Sequence, residues 1–432
     1  MKRGFLTNEK AKRFLSAPTS LPVKTLDDAE KARGNSKVTL SKANDTTKVL
    51  QSSSKAVPDK KKSNPLESDD PWRDIEIRFP GGGTQCLITD DLLQRLLRTP
   101  GGCPQPIKDS DLGGNYRISP TPGKGLGMFT TRNFNTGDLI VNERPLMVVP
   151  RIPVGVLTNE GVLDEQATKT ILHQAEKVMC PIFKRMREED KKAFMELHNS
   201  HLQDGSGPIL GVIRTNGYVF GDEAETNSNA STKENHTSIF KDLSRVNHSC
   251  SPNASRKFHV STFSMQLHAA RDIKEGEEIF TTYTDILEPA VVRAKDLAPY
   301  QITCTCRACL DPNKSDPIRA AVLKRPAIFV PMQKDFEEGW IDPALETLSR
   351  IEQEELQDSY LYRRMLHQVF NTYVHMNNEE KALEFGKRLW VAKLTVGEDR
   401  DERFRNVELM KKSPQWVMAK MTRGVPLLQS FI

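Results

Sequence analysis

The stretch Arg245-Val246-Asn247-His248-Ser249-Cys250-Ser251-Pro252-Asn253 decides how the rest of this 432-residue chain is read. Its Asn and Ser side chains compete for nearby backbone groups and Pro252 removes a donor, which predicts a sharply turned polar loop. Two chemistries compete for His248 and Cys250. A thiol beside an imidazole can act as a nucleophile pair, although no third residue stands ready to orient the histidine. Cys250 can instead ligate a metal, in which case its partners lie elsewhere in the chain.

Downstream, Cys304-Thr305-Cys306-Arg307-Ala308-Cys309 is a tight thiolate cluster. Zinc takes four tetrahedral ligands and this cluster supplies three. Cys250 is the remaining candidate with a suitable context, since Cys86, Cys103 and Cys180 fall in unrelated helical or loop text. A site built from Cys250, Cys304, Cys306 and Cys309 would pin the later segment against the Asn-His-Ser-Cys loop. Four cysteines close the coordination shell, so such a zinc is structural and not hydrolytic. The plain alternative is a set of reduced thiols without metal. Between loop and cluster, Lys274-Glu275-Gly276-Glu277-Glu278-Ile279-Phe280-Thr281-Thr282-Tyr283-Thr284-Asp285 reads as a glycine turn leading into a strand that ends at a tyrosine. Taken alone, Tyr283 is a core or rim residue. Its place between the other two features makes it a candidate for chemistry.

Working outward, residues 1–70 are rich in Ser, Thr, Lys, Asn and Asp. They cannot bury enough apolar surface to offset chain entropy, so this tail is expected to be disordered. It holds 15 Lys/Arg against 9 Asp/Glu, an excess of 6, whereas the whole chain is +5, leaving about −1 for residues 71–432. The folded part therefore has no basic excess pointing to nucleic acid. Lys60-Lys61-Lys62 is a solvated charge run or part of an import signal. No apolar run approaches the ~20 residues of a membrane helix, and the start lacks a secretory pattern. Seven cysteines, an odd number, fit a reducing compartment, nucleus and/or cytoplasm.

Residues 71–115 read as a strand (Ile75, Ile77, Phe79), a glycine turn, and a helix capped near Thr89 with Leu92, Leu93, Leu96 and Leu97 on one face. Residues 116–312 are mainly short strands, interrupted by a helical insertion at about 158–208 and ending in the thiolate knot at 300–312. Strand character is expected to resume at Ile209. Residues 313–432 are helical. Asp342-Pro343 is a start signal, Ala344-Leu345-Glu346 recurs as Ala382-Leu383-Glu384, and Met365, Leu366, Val369, Phe370 and Tyr373 form an apolar stripe. Antiparallel helix pairs of tetratricopeptide-like character are expected there. The fold class is α+β.

The ordered motifs Gly-x-Gly, Asn-His-Ser-Cys-x-Pro-Asn, Gly-Glu-Glu-Ile-x-x-x-Tyr and Cys-x-Cys-x-x-Cys, over roughly residues 116–312, resemble those of SET-domain lysine methyltransferases. The last spacing is similar to the SET-and-MYND subfamily, although the cysteines and histidines of a MYND zinc finger are missing. The resemblance implies a SET fold with a zinc-binding post-SET segment. It also implies S-adenosyl-L-methionine as cofactor, one structural zinc, and a protein substrate presenting a lysine. Lys124, Gly125 and Leu126 match the turn that holds the methionine part of the cofactor, and Asn247 and His248 match the pair contacting it. Tyr283 matches the catalytic tyrosine, while Tyr300 and Tyr218 match aromatics of the lysine channel. Ile302 departs from the subfamily, which commonly has an aromatic over the adenine. A methyltransferase is thus expected, with a SET-fold interaction protein of lost activity as the alternative. The helical C-terminal region is a surface for partner proteins, and neither membrane nor nucleic acid is an expected partner of the folded part.

Overall fold

The computed structural model describes residues 24–25, 72–108, 114–151, 157–158, 161–162, 165–221, 236–324, 341–398 and 400–422. The expectation of a disordered tail falls almost wholly outside these residues. Within it, β1 (Lys24–Thr25) pairs in parallel with β2 (Trp72–Phe79) at Ile75 and Glu76.

Apolar residues alternate along β2, so Ile75 and Ile77 are buried while Glu76 between them is only half-buried. The strand turns at Gly81, whose φ of +82° suits glycine, and returns antiparallel as β3 (Gly82–Thr89). Thr89 caps α1 (Asp90–Leu97) by accepting the Leu92 N–H at 3.3 Å, and Leu92, Leu93 and Leu96 are buried as their spacing implied. Next come β4 (Tyr116–Thr121), β5 (Gly125–Thr130), β6 (Leu139–Glu143), β7 (Met147–Pro150), β8 (Leu157–Thr158) and β9 (Gly161–Val162). The insertion is α2 (Glu165–Lys184), α3 (Glu188–Met195) and α4 (Pro208–Asn216). After it run β10 (Tyr218–Phe220), β11 (His236–Ile239), β12 (Asn247–His248), β13 (Ala254–His259), β14 (Ser264–Ala269) and β15 (Glu278–Thr281).

The resumption of strands at Ile209 is corrected by α4. Ile209, Leu210, Val212 and Ile213 are all buried, and an apolar run closed in on every side carries no period that separates helix from strand. Pro208 in the first turn was the sign that it begins a helix.

The larger sheets have the orders β1-β2-β3-β7-β11-β10, β12-β15-β5-β4 and β13-β14-β6. Brief strands in small sheets packed on two apolar clusters, the second shared with the helical insertion, together with a separate helical core at the C-terminal end, give the α+β architecture. The C-terminal part comprises α5 (Ala290–Leu297), α6 (Arg307–Leu310), α7 (Pro312–Lys324), α8 (Asp342–Gln353), α9 (Tyr360–His375), α10 (Glu379–Leu394), α11 (Val407–Lys411) and α12 (Pro414–Thr422). The stripe Met365, Leu366, Val369, Phe370 and Tyr373 on α9 is buried, with Ala344 of α8 and Ala382 of α10 in the same core. Among the described residues no helix is long and apolar enough to cross a membrane.

His236 ties two parts of the large sheet together. Its Nε2 accepts the Thr89 N–H at 3.2 Å, and its ring stacks on Phe220 at 5.6 Å. Burial, and secondarily the charge of Arg95, lower its pKa from 6.5 to about 4. The folded state therefore binds fewer protons than the unfolded state between those values, and stability is lost as pH falls through them. A displacement of that size corresponds to about 3 kcal/mol. Denaturant unfolding should show His236→Gln gaining about that much on the parent between pH 7 and pH 4. Parallel pH profiles would contradict the assignment.

Candidate active site and zinc knot

Residues 245–253 wrap around β15. The expectation of a loop rather than a strand is corrected here: Asn247 and His248 form β12, pairing in parallel with Phe280 and Thr281, and the Ser249 N–H continues the ladder to the Thr281 carbonyl at 3.0 Å. Asn253 closes the wrap by itself. Its Nδ2 donates to the Glu278 carbonyl at 2.8 Å and its Oδ1 accepts the Phe280 N–H at 2.7 Å. A buried carboxamide with both edges matched to one strand explains why the motif ends in Asn. The sequence had shown Asn253 in the motif without a task for it.

This wrap delivers Tyr283. Its backbone N–H donates to His248 Nδ1 at 3.0 Å, and its hydroxyl donates to the Val246 carbonyl at 2.6 Å. Tyr218 reaches the same short turn from β10, donating to the Leu243 carbonyl at 2.9 Å. Tyr300 stands at the end of the 3₁₀ turn Ala298–Tyr300, its ring centroid 5.4 Å from that of Tyr283. The three tyrosines nominated from the sequence are thus one cluster. Burial first, then the neighbouring tyrosines, push the Tyr283 hydroxyl well above the ordinary tyrosine range. It is a neutral phenol and no general base.

The glycine turn approaches from the other side. Gly123 and Gly125 have φ of +72° and +73°, and a Cβ on either would meet nothing within 4 Å, so the backbone is bare to an open space. Gly127 is glycine for the opposite reason, since a Cβ there would lie 2.5 Å from Glu278 Oε1. Leu126 is 39% exposed, and the Lys124 ammonium sits 5.0 Å over the Phe280 ring. Asn247 Nδ2 donates to the Leu126 carbonyl at 3.1 Å and to Glu278 Oε1 at 2.7 Å. That amide nitrogen holds the glycine turn to β15 and is not free for a ligand.

His248 likewise faces away from the open space. Its pKa is lowered to about 4, chiefly by burial, so the ring is neutral. With Nδ1 accepting from Tyr283, the proton resides on Nε2, which lies 3.3 Å from Cys250 Sγ and donates to it. Both ring nitrogens are engaged.

Cys250, Cys304, Cys306 and Cys309 bring their sulfurs within 4.8 Å of one another. Cys250 lies 3.9 Å from Cys304 and 3.5 Å from Cys309. A tetrahedral zinc with Zn–S of ~2.3 Å has ligand–ligand edges of ~3.8 Å, so the four thiolates fit that ion. Cys86 and Cys103 are buried elsewhere, and Cys180 is half-buried on α2. Two fully buried arginines, without a sequence signal, support the knot. Arg293 Nη2 points at Cys309 Sγ at 3.7 Å while Nη1 pairs with Asp316 at 3.3 Å. Arg319 donates to the Cys250 carbonyl at 3.0 Å, to the Ile286 carbonyl, and to Glu354 at 3.2 Å.

Residues 125–284 match the SET domain family, so this stretch of the chain is a SET domain. Histone-lysine N-methyltransferase set5 of Schizosaccharomyces pombe is 29% identical over 195 residues, covering 45% of this chain and 50% of that protein. N-lysine methyltransferase SMYD2 of Homo sapiens is 26% identical over 230 residues, covering 48% and 51%. The chain spans about half the length of the curated relatives it matches. Among solved structures, the SET domain of LSMT bound to lysine and AdoHcy aligns over 77% of this chain and 90% of that one, at 12% identity and a TM-score of 0.25. So loose an overlap adds nothing to the topology given above. The sequence relation is to the SET-domain lysine methyltransferases that include the SMYD proteins.

Two measurements test the knot. Cys306→Ser should lower zinc from one ion per chain, and full zinc retention would remove Cys306 from the ligand set. Arg319→Ala leaves the buried Glu354 without its cation, with the Ser315 hydroxyl still donating to it, and should cost about 3–5 kcal/mol in denaturant unfolding. A loss under ~1 kcal/mol would mean that water reaches Glu354 in this protein.

Proposed function

We infer that this protein transfers methyl groups from S-adenosyl-L-methionine to the side-chain amine of lysine in a protein substrate, histone or non-histone. The observation that carries the reading is the meeting of Tyr283, Tyr218 and Tyr300 beside the bare glycine turn and the Asn247–His248 backbone, within a SET domain. The relatives' names agree with it: one is named for histone lysine and the other for N-lysine methylation.

The open side of Gly123–Gly125 gives an extended ligand access to backbone groups, so Lys124, Gly125, Leu126, Asn247 and His248 would hold the cofactor. When bound, S-adenosyl-L-methionine supplies an electrophilic methyl group on sulfur. Displacement at that carbon needs a neutral amine held in line, so the protein's contribution is mainly positioning. The aromatic walls of Tyr218, Tyr283 and Tyr300 desolvate the substrate ammonium and lower its pKa, favouring the uncharged nucleophile. Tyr283 gives its hydroxyl proton to the Val246 carbonyl, which leaves its oxygen lone pairs as acceptors. Weak C–H···O contacts to such an oxygen are worth about 0.5–1 kcal/mol each. Half-buried Ile302 offers an aliphatic face where an adenine would lie.

The four thiolates serve as a structural zinc site, and a reducing nucleus or cytoplasm would keep them free to bind it. The C-terminal helices, as a tetratricopeptide-like surface, would carry partner proteins.

Tyr283→Phe should leave S-adenosyl-L-methionine binding by calorimetry within about twofold while cutting labelled methyl transfer into a cell extract at least ~100-fold, about 2.7 kcal/mol of barrier. Unchanged transfer would remove Tyr283 from the chemistry. No cofactor binding at millimolar concentration would leave the chain as a SET-fold interaction protein.

A further inference from the structure

Tyr300 is four residues from the knot, and the residues on either side of it are hydrogen-bonded from the helical insertion. Ser200 Oγ donates to the Pro299 carbonyl at 3.0 Å, and Gln301 Nε2 donates back to the Ser200 carbonyl at 2.8 Å. The two bonds bracket Tyr300 on both sides along the chain.

Ser200 is itself fixed. It is buried, its N–H donates to Thr215 Oγ1 at 3.0 Å, and Thr215 in turn donates to the Gly211 carbonyl at 2.7 Å. Asn216 Nδ2 reaches back to the His198 carbonyl at 2.7 Å. A Cβ on Gly211 would lie 2.5 Å from Asn199 Oδ1, so helix and loop are in close contact. The helix so gripped is α4, which leads two residues past its end into Tyr218.

Gln301 completes the clamp from a strained backbone. Its φ of +58° and ψ of +32° are left-handed, a region costly to residues other than glycine and asparagine. The chain holds that conformation with the Gln301 side chain on Ser200.

We propose that Ser200 and Gln301 are positioning residues which set Tyr300 in register with Tyr218, so that the helical insertion, beyond the zinc knot, fixes the width of the lysine channel. The channel itself rests on the function inferred above, whereas the clamp is a statement about where Tyr300 is held. The mechanism is geometric. Tyr218 and Tyr300 both hang from the Ser200–Thr215 network, and losing either clamp bond frees one wall relative to the other.

The test uses the full chain, loaded with zinc and labelled with 3-fluorotyrosine. The sequence has seven tyrosines, so Tyr300→Phe identifies the Tyr300 fluorine resonance. Ser200→Ala removes one bond. Gln301→Asn tolerates the left-handed backbone but is one methylene too short to reach Ser200, which separates the hydrogen bond from the strain. In both variants the Tyr300 line should move by more than its own width and broaden. The Tyr360 and Tyr373 lines should stay in place, and zinc should remain at one per chain. A merely structural role for Ser200 would lower the melting temperature without singling out Tyr300. A Tyr300 line unchanged in both variants, or one that moves only with loss of zinc, overturns the proposal. The channel reading fails separately if Tyr300→Ala labels a cell extract as the parent does.

Discussion

Everything at the candidate site depends on the wrap of residues 245–253 around β15. Backbone pairing at Asn247 and His248, the two-edged carboxamide of Asn253 and the His248 acceptor for the Tyr283 N–H all act on one four-residue strand. A two-residue parallel pair is weak alone. Here each end of the wrap is fastened by a buried side chain, so the strand cannot slide by one residue without losing Asn253 and Tyr283 together. The glycine turn joins the same strand through Asn247 and Glu278, which places an open backbone surface beside the tyrosine cluster.

Charge explains the company the knot keeps. Four thiolates around a divalent zinc would form a dianion, with Cys250 buried and the other three cysteines half-buried, and such a group needs donors. His248 Nε2 and Arg293 supply N–H groups to two of the sulfurs, and Arg319 grips the carbonyl of Cys250. Removing two arginines from water is itself unfavourable unless each finds partners. Arg293 finds Asp316 and Arg319 finds Glu354, so cations, thiolates and acids form one network in which the stability of each depends on the others.

That network reaches into the C-terminal helices, which makes them part of the same folded body. Ser251 Oγ donates to the Glu354 carbonyl at 3.1 Å, and Ser255 Oγ to Asp358 at 2.5 Å. Gly397, in a left-handed turn after α10, sits against Lys257, where a Cβ would lie 2.8 Å from the lysine chain. Gly137 meets Val391 of α10 as closely, at 2.7 Å. A surface for partners on these helices would therefore be mechanically continuous with the wrap beneath Tyr283.

The sequence by itself determined the local grammar. Alternating Ile75 and Ile77, the Thr89 cap and the α9 stripe are readable because strand and helix periods, and a cap's hydrogen bond, depend on neighbours a few positions away. The four cysteines were legible because zinc chemistry prescribes ligand type and number, and the tyrosines because ordered motifs resemble a known family. Tertiary structure decided what distance along the chain conceals. It turned the buried run Ile209–Ile213 into a helix, since apolar surroundings on all sides erase the period. It committed the side chains of Asn247 and His248 to Glu278 and Cys250. It also brought Ser200 to Tyr300 and Arg319 to Cys250, contacts between residues with no local pattern, fixed by packing and by the need of buried polar groups for partners.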